Sequence, residues 1–333
     1  MIISRTPFRI SFFGGGTDYP VWYRHNGGTV LNTTINKYCY ISTRFLPPFF
    51  EYKYRVRYSL REEVKSVSEI KHPSVRECLN YMRMDQGIEM VHTSDLPARS
   101  GIGSSSAFTV GFLNALYALS GRMVGKRNLA ASAIYIEQDI LGENVGSQDQ
   151  VAAAFGGLNK IEFNGKENFF VQPVTVNQKK ITELQNHLVL FFTGFQRTAS
   201  EVAREQIQNT GEKTAELRTM KQMVEEAVNI LNSNGQSNIE DFGKLLNESW
   251  KLKRSLSSRV TTSEIDELYD TALKAGAIGG KLCGAGGGGF MLLFVPPRKQ
   301  RLVRQALQRL LHVPFRFETL GSQIILYASE EPY

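Results

Sequence analysis

The stretch PARSGIGSSSAFTVG, residues 97–111, places three glycines and four serines directly before an apolar pattern of helical spacing. That pattern runs from Phe108 to Leu119, so a helix begins inside the stretch. The first N–H groups of a helix have no intrahelical partner and carry partial positive charge, which suits phosphate. Hydroxyl groups at Ser104–Ser106 could also bind Mg²⁺ between nucleotide phosphates. This chemistry predicts a phosphate-binding loop at residues 101–106.

A helix cap is the simpler interpretation for any one of these serines, because serine is favoured at that position. Gly-x-Gly followed by three serines is more than a cap requires, and it favours phosphate binding. The P-loop motif G-x-x-x-x-G-K-[ST] does not occur in the sequence, so the loop is not that of a P-loop NTPase.

Two further loops are rich in glycine. Residues 281–290, KLCGAGGGGF, fit G-x-G-x-x-G in form, but they lead into an apolar strand rather than a helix. We expect this loop to pack closely against another loop or a ligand; a plain hinge is the alternative. Residues 12–20, FFGGGTDYP, offer Thr17 and Asp18 at a turn, where an aspartate is commonly only a turn cap.

The composition is that of a globular protein, with 42% hydrophobic and 21% charged residues. Apolar runs are too short to cross a bilayer, the first residues lack a secretory pattern, and three cysteines show no pairing or metal-ligand spacing. We therefore expect a cytoplasmic protein without membrane contact. The net charge of +7 is scattered, which fits a small anionic ligand or a solvated surface.

The elements that must position these loops alternate without a regular βαβ order, which predicts an α+β fold. Strands are predicted at Leu188–Phe192 and Phe290–Val295, helices at Ser105–Leu119 and Leu129–Leu141, and a final strand or hairpin at Phe315–Ala328. The sequence becomes more polar and more helical after about residue 185, which predicts two domains, residues 1–185 and 186–333.

In their order along the chain, the three loops resemble the motifs of the galactokinase, homoserine kinase, mevalonate kinase and phosphomevalonate kinase (GHMP) superfamily. The resemblance implies an N-terminal domain like the second domain of ribosomal protein S5, a ferredoxin-like C-terminal domain, and ATP between them. PFRISFFGGGTDYP, GSQDQVAAAFGG and FTGFQRTAS are similar to the sugar-1-kinase branch. Galactokinases carry Gly-Glu-His where this chain has Gly14–Gly16, which argues against galactose.

The resemblance also implies residue roles. Asp149 would accept the proton of the anomeric hydroxyl, Arg9 would steady that aspartate and the transferring group, and Ser105 with Glu137 would hold Mg²⁺. The residues expected to bind ATP are Pro97, Arg99, Gly101, Ile102, Gly103, Ser104, Ser105 and Ser106. Those expected to bind the sugar are Gly15, Gly16, Thr17, Asp18, Arg197, Lys281, Gly284 and Gly286.

The acceptor that the resemblance favours is a heptose 7-phosphate, used for surface polysaccharide in a bacterium, with a fucose-type sugar as the alternative. The distal phosphate of such a sugar needs a basic partner. Arg197 is preferred because of the family-like segment around it, and the alternatives are Arg99, Lys251, Lys253 and Arg254.

The sequence disfavours three other functions. Decarboxylation of a diphosphorylated acid uses the same fold, but the first motif with Asp18 argues against it. A nucleotide-binding regulator would need no catalysis, whereas both Glu137 and Asp149 are present. RNA binding would rest on Tyr52–Tyr58, where aromatic and basic residues alternate. We expect no nucleic-acid partner, and a homodimer stays open.

Overall fold

A long antiparallel hairpin forms the centre of the larger sheet, and its two strands bring the first glycine-rich loop next to the core. The computed structural model describes residues 1–165, 168–194, 199–233 and 238–329. Within these ranges the strands are β1 Ile2–Phe13, β2 Gly28–Phe45, β3 Tyr54–Arg57, β4 Arg61–Val64, β5 Ile88–Ser94, β6 Leu158–Asn164, β7 Asn168–Pro173, β8 Leu188–Phe192, β9 Gly279–Leu282, β10 Phe290–Phe294, β11 Leu311–His312, β12 Phe317–Glu318 and β13 Gln323–Tyr327.

The helices are likewise numbered in chain order within the described ranges. They are α1 Pro20–Asn26, α2 Pro73–Met82, α3 Ser104–Leu119, α4 Lys126–Tyr135, α5 Gln148–Phe155, α6 Gln178–His187, α7 Ala199–Gln208, α8 Thr214–Asn232, α9 Ile239–Ser255, α10 Ser263–Lys274 and α11 Gln300–Ala306, with a π-helical turn at Ile136–Ile140 after α4. No helix in the described ranges is both long enough and apolar enough to span a bilayer.

The larger sheet has nine strands in the described residues, in the order β13-β1-β2-β5-β3-β4, with β12 and β6 also on β2 and β7 on β6. Helix α3 packs on β1 and β2 and is apolar around most of its circumference, which is why it lies inside the core. The predicted helix at Ser105–Leu119 is confirmed, and it begins one residue earlier.

The smaller sheet is antiparallel, in the order β11-β8-β10-β9, and α9 packs against β9. Both strands predicted for this half are present. The chain then returns: β13 pairs with β1 and β12 pairs with β2. The predicted division into domains 1–185 and 186–333 stays a proposal. Residue 185 lies within α6, and β12 and β13 from the second half of the chain belong to the larger sheet.

The middle of the stretch considered for RNA binding, Tyr54–Arg57, forms β3. Tyr54 and Val56 are buried, and Arg55 between them forms ion pairs with Glu63 and Glu89. Its guanidinium group therefore faces carboxylates.

Candidate active site

A bidentate ion pair lies at the centre of the site. Arg9 in β1 donates from Nε to Asp149 Oδ1 and from Nη2 to Asp149 Oδ2, both at 2.7 Å. Its third donor, Nη1, bonds to the Gly101 carbonyl oxygen at 2.7 Å. Asp149 lies in the first turn of α5, where the helix dipole favours a negative charge. Its side chain is 23% exposed while that of Arg9 is 5% exposed, so the carboxylate keeps an open side.

The predicted phosphate loop lies directly over this pair. Gly103 caps α3 with φ of 75°, and no side chain caps the first N–H groups of the helix. A Cβ on Gly103 would lie 3.2 Å from Arg9 Cγ and 3.4 Å from Asp149 Oδ2. The uncapped end of α3 therefore points its amide groups towards the same space that the Asp149 carboxylate borders.

The first glycine loop brings a second carboxylate to the site. Asp18 accepts from Gly16 N at 2.9 Å and from Gln148 Nε2 at 3.0 Å. Burial raises the pKa of Asp18, the charge of Asp149 adds to this rise, and the two hydrogen bonds oppose it. A hydrogen-bonded carboxylate of this kind suits the hydroxyl groups of a sugar.

The Thr17 side chain bonds within the protein. Its hydroxyl shares one proton between the carbonyl oxygens of Gly14 and Thr29, at 2.8 and 2.9 Å, and it accepts from Thr29 N. The side chain is completely buried. The Thr17 side chain therefore holds the loop against β2, and the expected contact of Thr17 with the sugar stays a prediction.

Glu137 lies in the π-helical turn and is completely buried. Its Oε2 accepts from Ser106 Oγ at 2.8 Å and from Gln150 Nε2 at 2.5 Å, whereas Oε1 has no partner among the described residues. Burial raises the pKa of Glu137 to about 7.

The serine that contacts Glu137 directly is Ser106, and the expected role of Ser105 with Glu137 at Mg²⁺ stays a prediction. Successive helical residues differ by about 100° in direction, so only one of two adjacent serines can face Glu137. Ser105 is on the exposed side of the first turn. Ser104 Oγ accepts from Arg99 N at 3.1 Å and so closes the loop itself.

The third loop packs closely against another loop, one of the two partners predicted for it, and that loop is the phosphate loop. A Cβ on Gly284 would lie 2.6 Å from Gly101 Cα, which only a close backbone contact produces. Gly286 approaches Val260 in the same way. Lys281, in β9, is 2% exposed and bonds from Nζ to the Phe12 carbonyl oxygen at 3.1 Å.

Of the basic alternatives, only Lys253 is buried in the site. Its Nζ bonds to the Gly284 carbonyl oxygen at 2.5 Å, and the residue is 5% exposed. Lys251 pairs with Glu248 at the surface, and Arg254 pairs with Asp266. Arg197, the preferred residue, lies outside the described ranges.

Sequence reasoning did not assign Gln148, Gln150 or Ser106 to the carboxylates they contact. One signal was available for Lys253: it continues the buried Leu246 and Trp250 at helical spacing, on the apolar side of α9.

Substitution Gly146→Ala tests the first loop. A Cβ there would overlap Asp18 and lie 2.7 Å from its Cγ, so the carboxylate must move. We expect KM for the sugar that the family resemblance implies to rise about tenfold or more, from loss of hydrogen bonds to a charged group. KM for ATP should change little. Steady-state kinetics in both substrates measure this, with Gly125→Ala as a folding control, because a Cβ at Gly125 would meet open space and its φ is −73°.

Family profiles match two parts of the chain. Residues 70–157 match the GHMP kinases N terminal domain, and residues 223–313 match the GHMP kinases C terminal domain. Together these parts exceed half of the chain, and the protein belongs to the GHMP kinase family, a family of ATP-dependent enzymes with this two-domain fold.

Individual relatives extend over nearly the whole length. The chain is 29% identical over 320 residues to the D-glycero-alpha-D-manno-heptose 7-phosphate kinase of Campylobacter jejuni, covering 92% of this chain and 93% of that protein. It is 24% identical to the bifunctional fucokinase/GDP-fucose pyrophosphorylase of Arabidopsis thaliana, of which it covers 30%. A crystal structure described as a D-glycero-D-manno-heptose 1-phosphate kinase from Bacteroides thetaiotaomicron superposes with a TM-score of 0.74 at 25% identity, covering 99% of this chain and all of that one.

Proposed function

We propose that the protein is an ATP-dependent sugar-1-kinase whose acceptor is D-glycero-D-manno-heptose 7-phosphate and whose product is the 1,7-bisphosphate. The Arg9–Asp149 ion pair below the uncapped start of α3 carries this proposal, because it places a proton acceptor beside a phosphate-binding helix end. The similarity to heptose 7-phosphate kinase supports the acceptor. We further propose that the bisphosphate serves nucleotide activation of heptose for a surface polysaccharide.

Phosphoryl transfer requires mainly positioning and neutralisation of charge. The amide groups at the start of α3 bind the β- and γ-phosphates of ATP. Asp149 accepts the proton of the anomeric hydroxyl while that oxygen forms a bond to the γ-phosphorus. The bond from this phosphorus to the bridging oxygen breaks, and ADP leaves. Arg9 holds both oxygens of Asp149, which fixes the direction in which the carboxylate accepts the proton.

The residues around Glu137 fit Mg²⁺. One buried carboxylate oxygen, Oε1, has no hydrogen-bond donor among the described residues, and the other, Oε2, accepts from Ser106 in the first turn of α3. Mg²⁺ usually takes one or two protein oxygens together with water and substrate phosphates, so a single carboxylate is sufficient. When bound, the ion would neutralise charge on the phosphates. Glu137, with Ser105 or Ser106, would hold it.

Sugar screening tests this function. The purified protein is incubated with ATP, Mg²⁺ and heptose, heptose 7-phosphate or fucose, and ADP release is followed. We expect release with heptose 7-phosphate and a new anomeric phosphate signal by phosphorus NMR. Turnover of fucose alone, or a phosphate at another oxygen, would contradict the proposal, and release of CO₂ from a diphosphorylated acid would indicate a decarboxylase.

The two serines make a second test of the metal site. Ser106→Ala removes a donor to Glu137 and should lower kcat by about 10-fold, because a buried charged group loses a hydrogen bond. Ser105→Ala should raise the Mg²⁺ concentration needed for half-maximal rate if its exposed hydroxyl serves the ion. An unchanged Mg²⁺ titration for Ser105→Ala would remove that serine from the metal site.

A further inference from the structure

We propose that Lys253, with Ser11 and Gln148 around Gly15, forms the pocket that binds the phosphate of a phosphorylated sugar acceptor. This inference rests on the proposed function and names the part of the site that distinguishes sugar phosphates from neutral sugars. The three side chains come from α9, β1 and α5, and each is at least nine-tenths buried. They meet at one point: a Cβ on Gly15 would lie 3.7 Å from Lys253 Nζ, 3.7 Å from Ser11 Oγ and 3.8 Å from Gln148 Nε2.

The polar groups at this point have unused hydrogen-bonding capacity. Among the described residues, Ser11 Oγ and Gln148 Oε1 have no partner, and neither do the amide atoms of Asn32, which lies opposite Ser11 in the β1–β2 register. An ammonium group has three donors, and Lys253 uses one of them, on the Gly284 carbonyl oxygen. Buried polar groups are normally paired, so this concentration of unpaired groups indicates a polar ligand.

The charges indicate that this ligand is an anion. No carboxylate in the described part of the chain lies within ion-pairing distance of Lys253 or Lys281, although both are buried. The two nearby carboxylates are engaged elsewhere, Asp149 with Arg9 and Asp18 with Gly16 and Gln148. Unpaired buried cations cost free energy, and an anionic ligand removes that cost.

Either of two phosphates could be this anion, the one on the acceptor or the one transferred from ATP. The position beside Gly15 favours the acceptor, because Gly15 lies in the same loop as Asp18, three residues before it, and Gln148 contacts both. Gly15 itself is outside the left-handed region and has room for a Cβ. The three polar groups therefore face the side of the first glycine loop on which Gly15 carries no side chain.

Titration of Lys253 gives this pocket a pH dependence. Burial lowers the pKa of Lys253 to about 8. The groups that face it are Arg9 from β1, Asp18 from the following loop, Asp149 from α5, Cys283 after β9, and Lys281 from β9. Above pH 8 the free enzyme loses the ammonium charge, whereas a sugar phosphate, with a second pKa of about 6, is already mostly a dianion and changes little there. KM for a phosphorylated acceptor should therefore rise above pH 8, and KM for a neutral sugar should not.

The test compares Lys253→Met, Gly15→Ala and, as a control on the same helix, Lys244→Met, whose lysine is exposed and pairs with Asp241. Heptose and heptose 7-phosphate are the two acceptors. For Lys253→Met we expect KM for heptose 7-phosphate to rise about 10- to 100-fold and to lose its rise above pH 8, with KM for heptose and for ATP unchanged. Gly15→Ala should raise KM for the phosphorylated acceptor alone, and Lys244→Met should behave as the wild type.

An equal rise of KM for both acceptors overturns the inference, since Lys253 would then serve the sugar ring. A rise of KM for ATP overturns it as well, because the lysine would then serve the transferred phosphate. Calorimetric titration with heptose 7-phosphate distinguishes a failure of this inference from a failure of the proposed function. If the wild type binds this sugar through Lys253 but does not phosphorylate it, the proposed function is wrong and the phosphate pocket is supported. If the wild type phosphorylates this sugar and Lys253→Met binds it equally well, the proposed function is supported and the phosphate pocket is wrong.

Discussion

Asp149→Asn should lower kcat by about 10²- to 10⁴-fold, the range that a positioned proton acceptor supplies. Asparagine has the same shape and keeps an oxygen for Arg9, but it cannot take the proton of an anomeric hydroxyl. We expect KM for sugar and ATP to change little, because neither the α3 start nor Asp18 is altered. Steady-state kinetics with thermal unfolding of the same preparation measure both effects.

Asp270→Asn is the matched control, since Asp270 is exposed on α10. It should leave kcat at the wild-type value. If Asp149→Asn folds normally and retains near-wild-type kcat, Asp149 is not the proton acceptor and its role is limited to holding Arg9.

Glu137→Gln should lower kcat by about 10²- to 10³-fold, as expected when one preorganised electrostatic contact to a transferring phosphate is removed. It should also raise the Mg²⁺ concentration that gives half-maximal rate. The amide fills the same volume and can still bond to Ser106 and Gln150, so the fold should persist. A Mg²⁺ titration at saturating ATP, followed by ADP release, measures the shift.

For this second substitution the control is Glu248→Gln, at an exposed carboxylate of α9. A lowered kcat with an unshifted Mg²⁺ titration would show that Glu137 only orients its two hydrogen-bond partners and does not hold the ion.

Sequence reasoning was most successful where local pattern and chemistry coincide. Helix α3 and the strands β8 and β10 followed from periodicity, and the close backbone approach of the third loop followed from glycine's tolerance of it, although its partner was not specified. The meeting of Arg9 with Asp149 was implied by the family resemblance alone, because 140 residues separate the two and no local pattern specifies their contact.

The sequence could not show how α3 is rotated about its axis against the sheet, or which distant segments come together around a given side chain. Whether Ser105 or Ser106 faces Glu137 depends on how α3 is turned against the sheet, and helical periodicity alone does not fix this within one residue. Lys253 shares the buried face of α9 with Trp250, yet a lysine in a helix is normally a surface residue. Its environment is made by Gly15, Gln148 and Gly284, which belong to three distant segments.

The return of β12 and β13 to β2 and β1 affects how the protein is made. During synthesis from the N-terminus, β1 is formed early but its outer edge stays unpaired until residues 323–327 have left the ribosome. An open strand edge is a template for association with other chains, so the nascent protein is most exposed to aggregation in this interval. Strand β13 therefore covers the outer edge of β1, and the two halves of the chain complete their folding together.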